Sequence, residues 1–125
     1  VRPMFTKEIL HNGKTVQSFS TEVINSSICS DHTLALIKDM LLGVVEKGTG
    51  KAVHSDIVRI AGKTGTAQTG QFREGEELKN YWFAGFYPAE KPRWTIVVMQ
   101  DAQTEPEVSS AAIFARLCDA LSAGA

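Results

Sequence analysis

The chain has 125 residues, of which 43% are hydrophobic and 22% are charged, and this composition is typical of one soluble globular unit. Its 13 basic and 14 acidic side chains are scattered and give a formal charge of -1, so the sequence contains no basic stripe that could bind nucleic acid. The longest apolar runs, residues 40–45 and 95–99, are far shorter than the roughly 20 residues that a membrane-spanning helix needs, and no signal peptide opens the chain.

An Asn-Gly pair predicts the first element. Asn12 and Gly13 lie between two short runs, residues 5–10 and 15–19. Asn-Gly between extended runs is the strongest short-range signal for a β-hairpin. We therefore predict a small antiparallel hairpin.

A helix is predicted after the hairpin. Ser30 or Asp31 can cap its amino-terminal end, and Gly48 follows its last turn, where glycine commonly ends a helix. Apolar residues recur at steps of three and four, which predicts one buried stripe. The stripe consists of Leu34, Ile37, Met40 (or Leu41) and Val44.

Three strands are predicted next. Residues 58–67 form the first, although this run contains Gly62 and Gly65, and glycine inside a strand usually marks a bulge or the close approach of a backbone or ligand. Residues 69–80 are charged and contain glycine, which predicts a loop. Residues 81–87 and 93–100 are rich in aromatic or β-branched side chains, and we expect these two strands to pair antiparallel.

A second helix is predicted near the carboxyl-terminal end. Pro106 suits its first turn, and a continuous apolar face follows. That face consists of Val108, Ala111, Ala115, Cys118 and Leu121. Residues 1–125 are therefore expected to form one α+β unit, in which helices pack against an antiparallel sheet.

Neither a metal nor a cofactor is expected. Cys29 and Cys118 belong to no CxxC pair and have no histidine at ligand spacing, so we interpret them as ordinary semi-buried thiols. The histidines, His11, His32 and His54, indicate no serine–histidine–acid arrangement.

The most informative stretch is residues 62–68, which read Gly-Lys-Thr-Gly-Thr-Ala-Gln. Gly-Lys-Thr also ends the phosphate-binding P-loop, but that motif needs a glycine five places before Gly62, where Ile57 stands. What remains is a lysine–threonine–glycine triplet on a predicted strand, one of three signatures of penicillin-recognising serine enzymes. We call residues 63–66 the KTGT segment.

With its flanks, this stretch resembles the carboxyl-terminal end of a class B penicillin-binding protein. The resemblance rests on residues 63–68, on residues 44–52 before them and on residues 82–88 after them, and it extends to residues 1–3 and 111–114. It implies the last three strands of a five-stranded transpeptidase sheet with the spatial order 2-1-5-4-3.

The resemblance also implies a parent enzyme that cross-links bacterial peptidoglycan. In that family a serine attacks the penultimate D-alanine carbonyl of a stem peptide, forms an acyl-enzyme and passes the acyl group to an amine, and β-lactams acylate the same serine. The expected partners of the parent are therefore stem peptides and β-lactams. The parent is expected at the extracytoplasmic face of the bacterial cell membrane, anchored there within a cell-wall synthesis complex.

Lys63 is expected to supply a fixed positive charge that attracts a terminal carboxylate and keeps the acid–base lysine of a second motif reactive. The alternative is an edge-strand lysine that prevents aggregation. Thr64 and Thr66 lie two apart, so both hydroxyls should share one face, where they can bind a substrate carboxylate. Threonine is also a plain strand former.

Gly65 lacks a side chain, which allows an extended peptide to lie against the strand. The resemblance assigns half of the oxyanion hole to the backbone N–H of Thr66. Gln68 stands at the mouth of the cleft in the family pattern, and a solvent-facing glutamine is the alternative. The predicted catalytic residues are thus Lys63, Thr64, Gly65 and Thr66, and the predicted substrate-binding residues are Lys63, Thr64, Thr66 and Gln68.

Two family signatures are absent from the sequence, since no serine is followed three places later by lysine and no Ser-x-Asn triplet occurs. We expect both to precede this stretch in the parent, so that the chain alone forms no acyl-enzyme. Without the first two strands, residues 93–100 should expose an apolar edge, and we expect the piece to associate with itself through that strand or through the face of the terminal helix. A β-lactam sensor or β-lactamase-like relative, and a non-catalytic binding or assembly module, stay open as alternatives.

Overall fold

A computed structural model describes residues 1–53 and 55–124, and the chain forms two compact units, Val1–Thr33 and Leu34–Ala125. His54, one of the three histidines considered above, lies outside the described residues. Within the described ranges, no helix is long and apolar enough to span a membrane.

The first unit contains the predicted hairpin. Strand β1 (Glu8–His11) pairs antiparallel with strand β2 (Lys14–Ser18). Asn12 and Gly13 form the turn with φ angles of 52° and 75°, the left-handed backbone that a two-residue hairpin loop requires. The prediction is confirmed, although β1 begins at Glu8 and not at residue 5.

Helix α1 spans Asp31–Lys47, as the capping signals predict. The Oγ atom of Ser30 accepts a hydrogen bond from the backbone N–H of Thr33 at 3.1 Å, which satisfies one of the free donors of the first turn. Ser30 is therefore the residue that caps the helix.

The buried stripe predicted for α1 is wrong in its first half, whereas Leu41 and Val44 are half-buried. Leu34, Ile37 and Met40 expose 42%, 44% and 67% of their surface, and Val45 is the residue of this helix that becomes buried. Only the carboxyl-terminal turns of α1 reach the described core, so the amino-terminal half of the stripe has no described element to pack against. Periodicity alone does not reveal which part of an apolar face finds a partner.

The second unit contains a three-stranded antiparallel sheet. Strand β3 (Ala61–Arg73), strand β4 (Glu76–Tyr87) and strand β5 (Trp94–Gln103) lie in the order β3-β4-β5. The α+β class and the antiparallel pairing of the last two strands are confirmed. β3 starts at Ala61 and not at residue 58, and β5 continues through Gln103, beyond the predicted end at residue 100.

The loop predicted over residues 69–80 is also wrong. β3 and β4 continue as a long hairpin that closes at Glu74 and Gly75, whose φ angles are 54° and 88°. The register shifts between Gln68 and Phe72, so residues 69–71 form a bulge in β3. Residues 70–76, around the tip of this hairpin, are exposed, which explains why this stretch lacks the apolar alternation of a half-buried strand.

Helix α2 spans Ser110–Ala123. The Oγ atom of Ser109 accepts a hydrogen bond from the N–H of Ala112 at 3.1 Å, so Ser109 caps the helix. Pro106 therefore lies before the helix, and the prediction that it opens the first turn is wrong because a serine hydroxyl provides the cap further along the chain.

α2 covers one face of the sheet and completes the core. The predicted face is confirmed at Ala111, Ala115 and Cys118, which are buried, but Leu121 is 41% exposed. The predicted face omitted Phe114, whose ring is fully buried edge-on against Phe83, with the ring centroids 4.7 Å apart. The core consists of Val45, Val53, Ile60, Phe83, Tyr87, Ala111, Phe114, Ala115 and Cys118.

Candidate active site

The KTGT segment lies on β3, which is one of the two edge strands of the three-stranded sheet. In the register of β3 and β4, Lys63 is opposite Ala84 and Thr66 is opposite Tyr81. Ala61 and Gly62, directly before the segment, are buried, whereas Lys63 and Thr66 are exposed. The core therefore holds the segment at one end, and its free edge can pair with another extended chain.

The Lys63 ammonium is folded back over this edge. Its Nζ atom donates to the backbone carbonyl of Thr64 at 2.8 Å and lies 3.3 Å from the hydroxyl Oγ1 of the same residue. Neither contact neutralises the ammonium, and no carboxylate in the described ranges forms a salt bridge with it. The positive charge is thus free to attract an anion.

The second cation near the start of β3 differs in this respect. Arg59 donates to Glu46 at 2.6 Å and to Glu90 at 2.8 Å, so it joins α1 to the connection between β4 and β5. The hydrogen bond with Glu46, followed by that with Glu90, raises the pKa of Arg59. Because its charge is already balanced by two carboxylates, Arg59 is a poor candidate for anion binding and Lys63 is a good one.

Thr64 and Thr66 occupy alternate positions of β3 and therefore belong to the same face. Their opposite residues in β4 are Phe83 and Tyr81. A small cavity of about 120 Å³ is lined by both threonines and, from the start of α2, by Ser109. The two hydroxyls thus stand beside a recess at the strand edge.

Thr49 is a neighbour of this cluster that the sequence did not single out as a site residue. It lies between α1 and a short 3₁₀ helix, Lys51–Val53, and its Oγ1 atom is 3.2 Å from the Oγ1 atom of Thr64. The sequence resemblance includes Thr49 within residues 44–52, but nothing in the residue types indicates its contact with β3.

Two glycines of β3 stand in different surroundings. A Cβ atom on Gly62 would lie 2.6 Å from the carbonyl oxygen of Ala84 and 2.7 Å from two ring carbons of Phe83. A Cβ atom on Gly65 would meet Trp82 at 3.4 Å, which is an ordinary van der Waals contact, and neither glycine has a positive φ angle. Packing therefore requires glycine at position 62 and permits a methyl group at position 65.

Gln68 does not join the lysine–threonine cluster. Its Nε2 atom donates to Oε2 of Glu77 at 2.6 Å, and Oε1 of Glu77 accepts from the N–H of Gly70 at 3.2 Å. Thr69 completes the bulge by donating its hydroxyl to the carbonyl of Leu78 at 2.6 Å. Within this structure, Gln68 is held at the bulge by a β4 carboxylate.

The serines nearest to the KTGT segment have structural roles. The hydroxyl of Ser110, a residue that is 3% exposed, donates to the carbonyl of Tyr81 at 2.9 Å and accepts from Gln100 at 2.9 Å. Ser109 caps α2. The site thus contains a cation, hydroxyl groups and a free strand edge, while the hydroxyls of Ser109 and Ser110 form structural hydrogen bonds.

No group of three or more histidine, cysteine, aspartate or glutamate side chains that could hold a metal ion occurs in residues 1–53 and 55–124. Cys29 is partly buried and Cys118 is buried, and both are free thiols.

Comparison with known proteins finds one family over most of the chain. The family described as Penicillin binding protein transpeptidase domain matches residues 1–119. The peptidoglycan D,D-transpeptidase MrdA of Acinetobacter baumannii is 31% identical over 80 residues, which are 56% of this chain and 12% of that protein. The stage V sporulation protein D of Bacillus subtilis is 35% identical over 91 residues, which are 70% of this chain and 14% of that protein.

Solved structures agree with these sequence relatives. The crystal structure of the D,D-transpeptidase domain of a peptidoglycan glycosyltransferase from Eggerthella lenta has a TM-score of 0.66 and 34% sequence identity, and the match covers 90% of this chain and 25% of that chain. The 125 residues thus span a small part of the length of each relative.

Proposed function

The chain belongs to the penicillin-binding protein transpeptidase family, and from this we propose that it forms the carboxyl-terminal part of a peptidoglycan D,D-transpeptidase domain. The resemblance seen in the sequence is confirmed at the level of the family. In the proposed enzyme, the KTGT segment forms one wall of the active site, and the serine that is acylated comes from another part of a longer protein.

The contrast between Gly62 and Gly65 carries the proposal. Gly62 is required by the packing of Phe83, but the described surroundings of Gly65 leave room for a methyl group. A strand residue without a side chain weakens the strand, because its backbone loses more entropy on folding. The lack of a side chain at position 65 is explained if a substrate backbone lies against β3 at this point.

The charges and hydroxyls fit a substrate that ends in a carboxylate. The unpaired ammonium of Lys63 attracts the anion, and the hydroxyls of Thr64 and Thr66 donate hydrogen bonds to its oxygens. Stem peptides and β-lactams both carry such a carboxylate. We propose them as the ligands of the intact enzyme.

The backbone of the same segment suits an oxyanion hole. Lys63 reaches the carbonyl of Thr64 at 2.8 Å over the free edge of β3. In an antiparallel strand, residues two apart direct their backbone groups to the same side, so the N–H of Thr66 is expected to point to this edge as well. There it would stabilise the negative charge that develops when a serine attacks the substrate carbonyl.

Three further properties are proposed for the whole enzyme. It would be anchored in the membrane, face the cell wall and work within a synthesis complex.

The isolated 125 residues would associate through β5, because this strand ends the described sheet and exposes 57% of Val97 and 45% of Met99.

Intact-mass spectrometry of the full-length protein after incubation with benzylpenicillin tests the proposal. We expect the protein to gain the mass of the drug, and we expect the 125-residue chain alone to gain nothing. Lys63→Met removes the ammonium and should strongly slow the gain. Lys91→Met, the same change at an exposed turn away from the site, should leave it unchanged.

Either of two results would count against the proposal. If the full-length protein is not acylated, the binding-module alternative replaces the transpeptidase. If Lys63→Met is acylated as fast as Lys91→Met, the KTGT segment is not a wall of the active site.

A further inference from the structure

We propose that Thr49 is a positioning residue, which orients the hydroxyl of Thr64 towards the substrate carboxylate. This inference rests on the proposed transpeptidase function and adds a residue outside the KTGT segment to its anion-binding site. The observation behind it is the 3.2 Å separation of the two Oγ1 atoms, which joins the turn after α1 to the outer strand of the sheet.

The backbone around Thr49 is tightly held. The N–H groups of Gly48 and Gly50 both donate to the carbonyl of Val44, at 3.1 and 2.9 Å. A Cβ atom would lie 2.9 Å from that carbonyl oxygen on Gly48 and 3.1 Å from it on Gly50, so a side chain at position 48 would force the turn to shift and one at position 50 would crowd it. The turn therefore fixes Thr49 from both sides although its side chain is exposed.

Core contacts anchor the two ends of this turn. Val45, in the last turns of α1, is 8% exposed, and Val53, at the end of the 3₁₀ helix, is fully buried. The N–H of Val53 donates to the carbonyl of Gly50 at 2.9 Å. Because both anchors belong to the core that also holds β3, the Thr49 hydroxyl has a defined place relative to Thr64.

The number of hydrogen bonds that the Thr64 hydroxyl can donate determines the role of Thr49. A hydroxyl group has one proton to donate, and an ammonium group only donates. Lys63 points an N–H at the Thr64 oxygen, 3.3 Å away. When Thr64 gives its one proton to a substrate carboxylate, the contact with Thr49 persists only if Thr49 is the donor.

Thr49 and Lys63 would then both donate to the Thr64 oxygen while Thr64 donates to the anion. Such a chain polarises the Thr64 hydroxyl and fixes its direction. The contribution should appear in the noncovalent binding of the carboxylate and much less in the later bond-forming step.

The test compares Thr49→Val, which keeps the shape and removes the hydroxyl, with Thr49→Ser, which keeps the hydroxyl. Stopped-flow acylation of the full-length protein by benzylpenicillin separates the dissociation constant of the initial complex from the rate constant of acylation. From the usual value of one hydrogen bond, we expect Thr49→Val to raise the dissociation constant by about three- to tenfold. The acylation rate constant should change less than about twofold on the same scale.

Thr49→Ser should restore binding, and Thr95→Val, the same substitution on an exposed position of β5, should have no effect. Equal binding by Thr49→Val and the unchanged protein would overturn the inference, as would an equal defect in Thr49→Ser. An effect confined to the acylation rate constant would overturn it too. These results leave the proposed function standing, whereas a lack of acylation in the unchanged protein removes both.

Discussion

Gly62 and Gly65 provide the sharpest test of how β3 serves both the fold and the site. The change is the addition of one methyl group, Gly→Ala, at two positions of the same strand. At position 62 the methyl carbon would lie 2.6 Å from a backbone oxygen and 2.7 Å from the ring of Phe83. Phe83 is fully buried against Phe114, so neither neighbour can move without disturbing the core.

Overpacking of this kind typically costs about 1–3 kcal/mol of the free energy of unfolding. At position 65 the same methyl group meets Trp82 at 3.4 Å and requires no positive φ. Replacing a glycine in a compatible conformation stabilises a protein by about 0.4–1 kcal/mol, because the unfolded chain loses freedom. The two substitutions are therefore expected to change stability in opposite directions.

Urea denaturation followed by tryptophan fluorescence measures the stability of each variant. Acylation of the full-length protein by benzylpenicillin measures the effect of each substitution on the proposed site. Gly62→Ala should lower the urea midpoint, while its folded fraction is still acylated. Gly65→Ala should keep or raise the midpoint and slow acylation by at least tenfold, an estimate of about 1.4 kcal/mol at the substrate contact. A midpoint that falls equally in both variants would refute the argument that the fold does not need glycine at position 65.

Three further outcomes are expected. Burial, with a smaller contribution from Asp119, raises the pKa of the Cys118 thiol to about 12, so iodoacetamide at pH 8 should modify Cys29 in the native protein and both thiols in urea. Alkylation of Cys118 in the native protein would contradict its burial. Because the unfolded thiol ionises near its ordinary pKa of 9.0 and the folded thiol does not, the free energy of unfolding should fall as the pH rises from about 9 to 12. Cys118→Ala should weaken this fall. Light scattering should show that the isolated chain associates as its concentration rises. Val97→Lys should reduce this association, whereas Val16→Lys, at a similarly exposed position of β2, should leave it unchanged. A monomer at all concentrations would exclude association through β5.

Sequence patterns predicted the elements whose signals are local. The Asn12-Gly13 turn, the helix cap at Ser30 or Asp31, and the strands rich in aromatic or β-branched side chains each depend on neighbouring residues. The structure contains the turn, a cap at Ser30, and β4 paired with β5. The KTGT segment was also recognisable, since residue types at fixed spacing carry its chemistry.

Features that depend on distant partners escaped the sequence. The apolar stripe of α1 gives no sign that Leu34, Ile37 and Met40 stay exposed, and residues 70–76 of the β3–β4 hairpin are exposed and carry no burial pattern. Phe114 was overlooked although it follows Ala111 by one helical step and fills the centre of the core.

The contact between Thr49 and Thr64 shows the same limit within the site. It joins a helix-ending turn to a strand, and only the packing of Val45 and Val53 brings them together. For Gln68 the sequence offered two alternatives, and its exposed side chain agrees with the solvent-facing one, although the hydrogen bond to Glu77 was not predicted.

The bulge at residues 69–71 also divides the β3–β4 hairpin into two independently paired stretches. Lys63 stays opposite Ala84 through the inner register, while Phe72 and Glu77 pair in a separate outer register. Additions at the Glu74-Gly75 tip are absorbed beyond the bulge, since exposed loop tips tolerate insertion. The tip is therefore a place where a peptide tag or a fluorophore can be attached without moving Lys63.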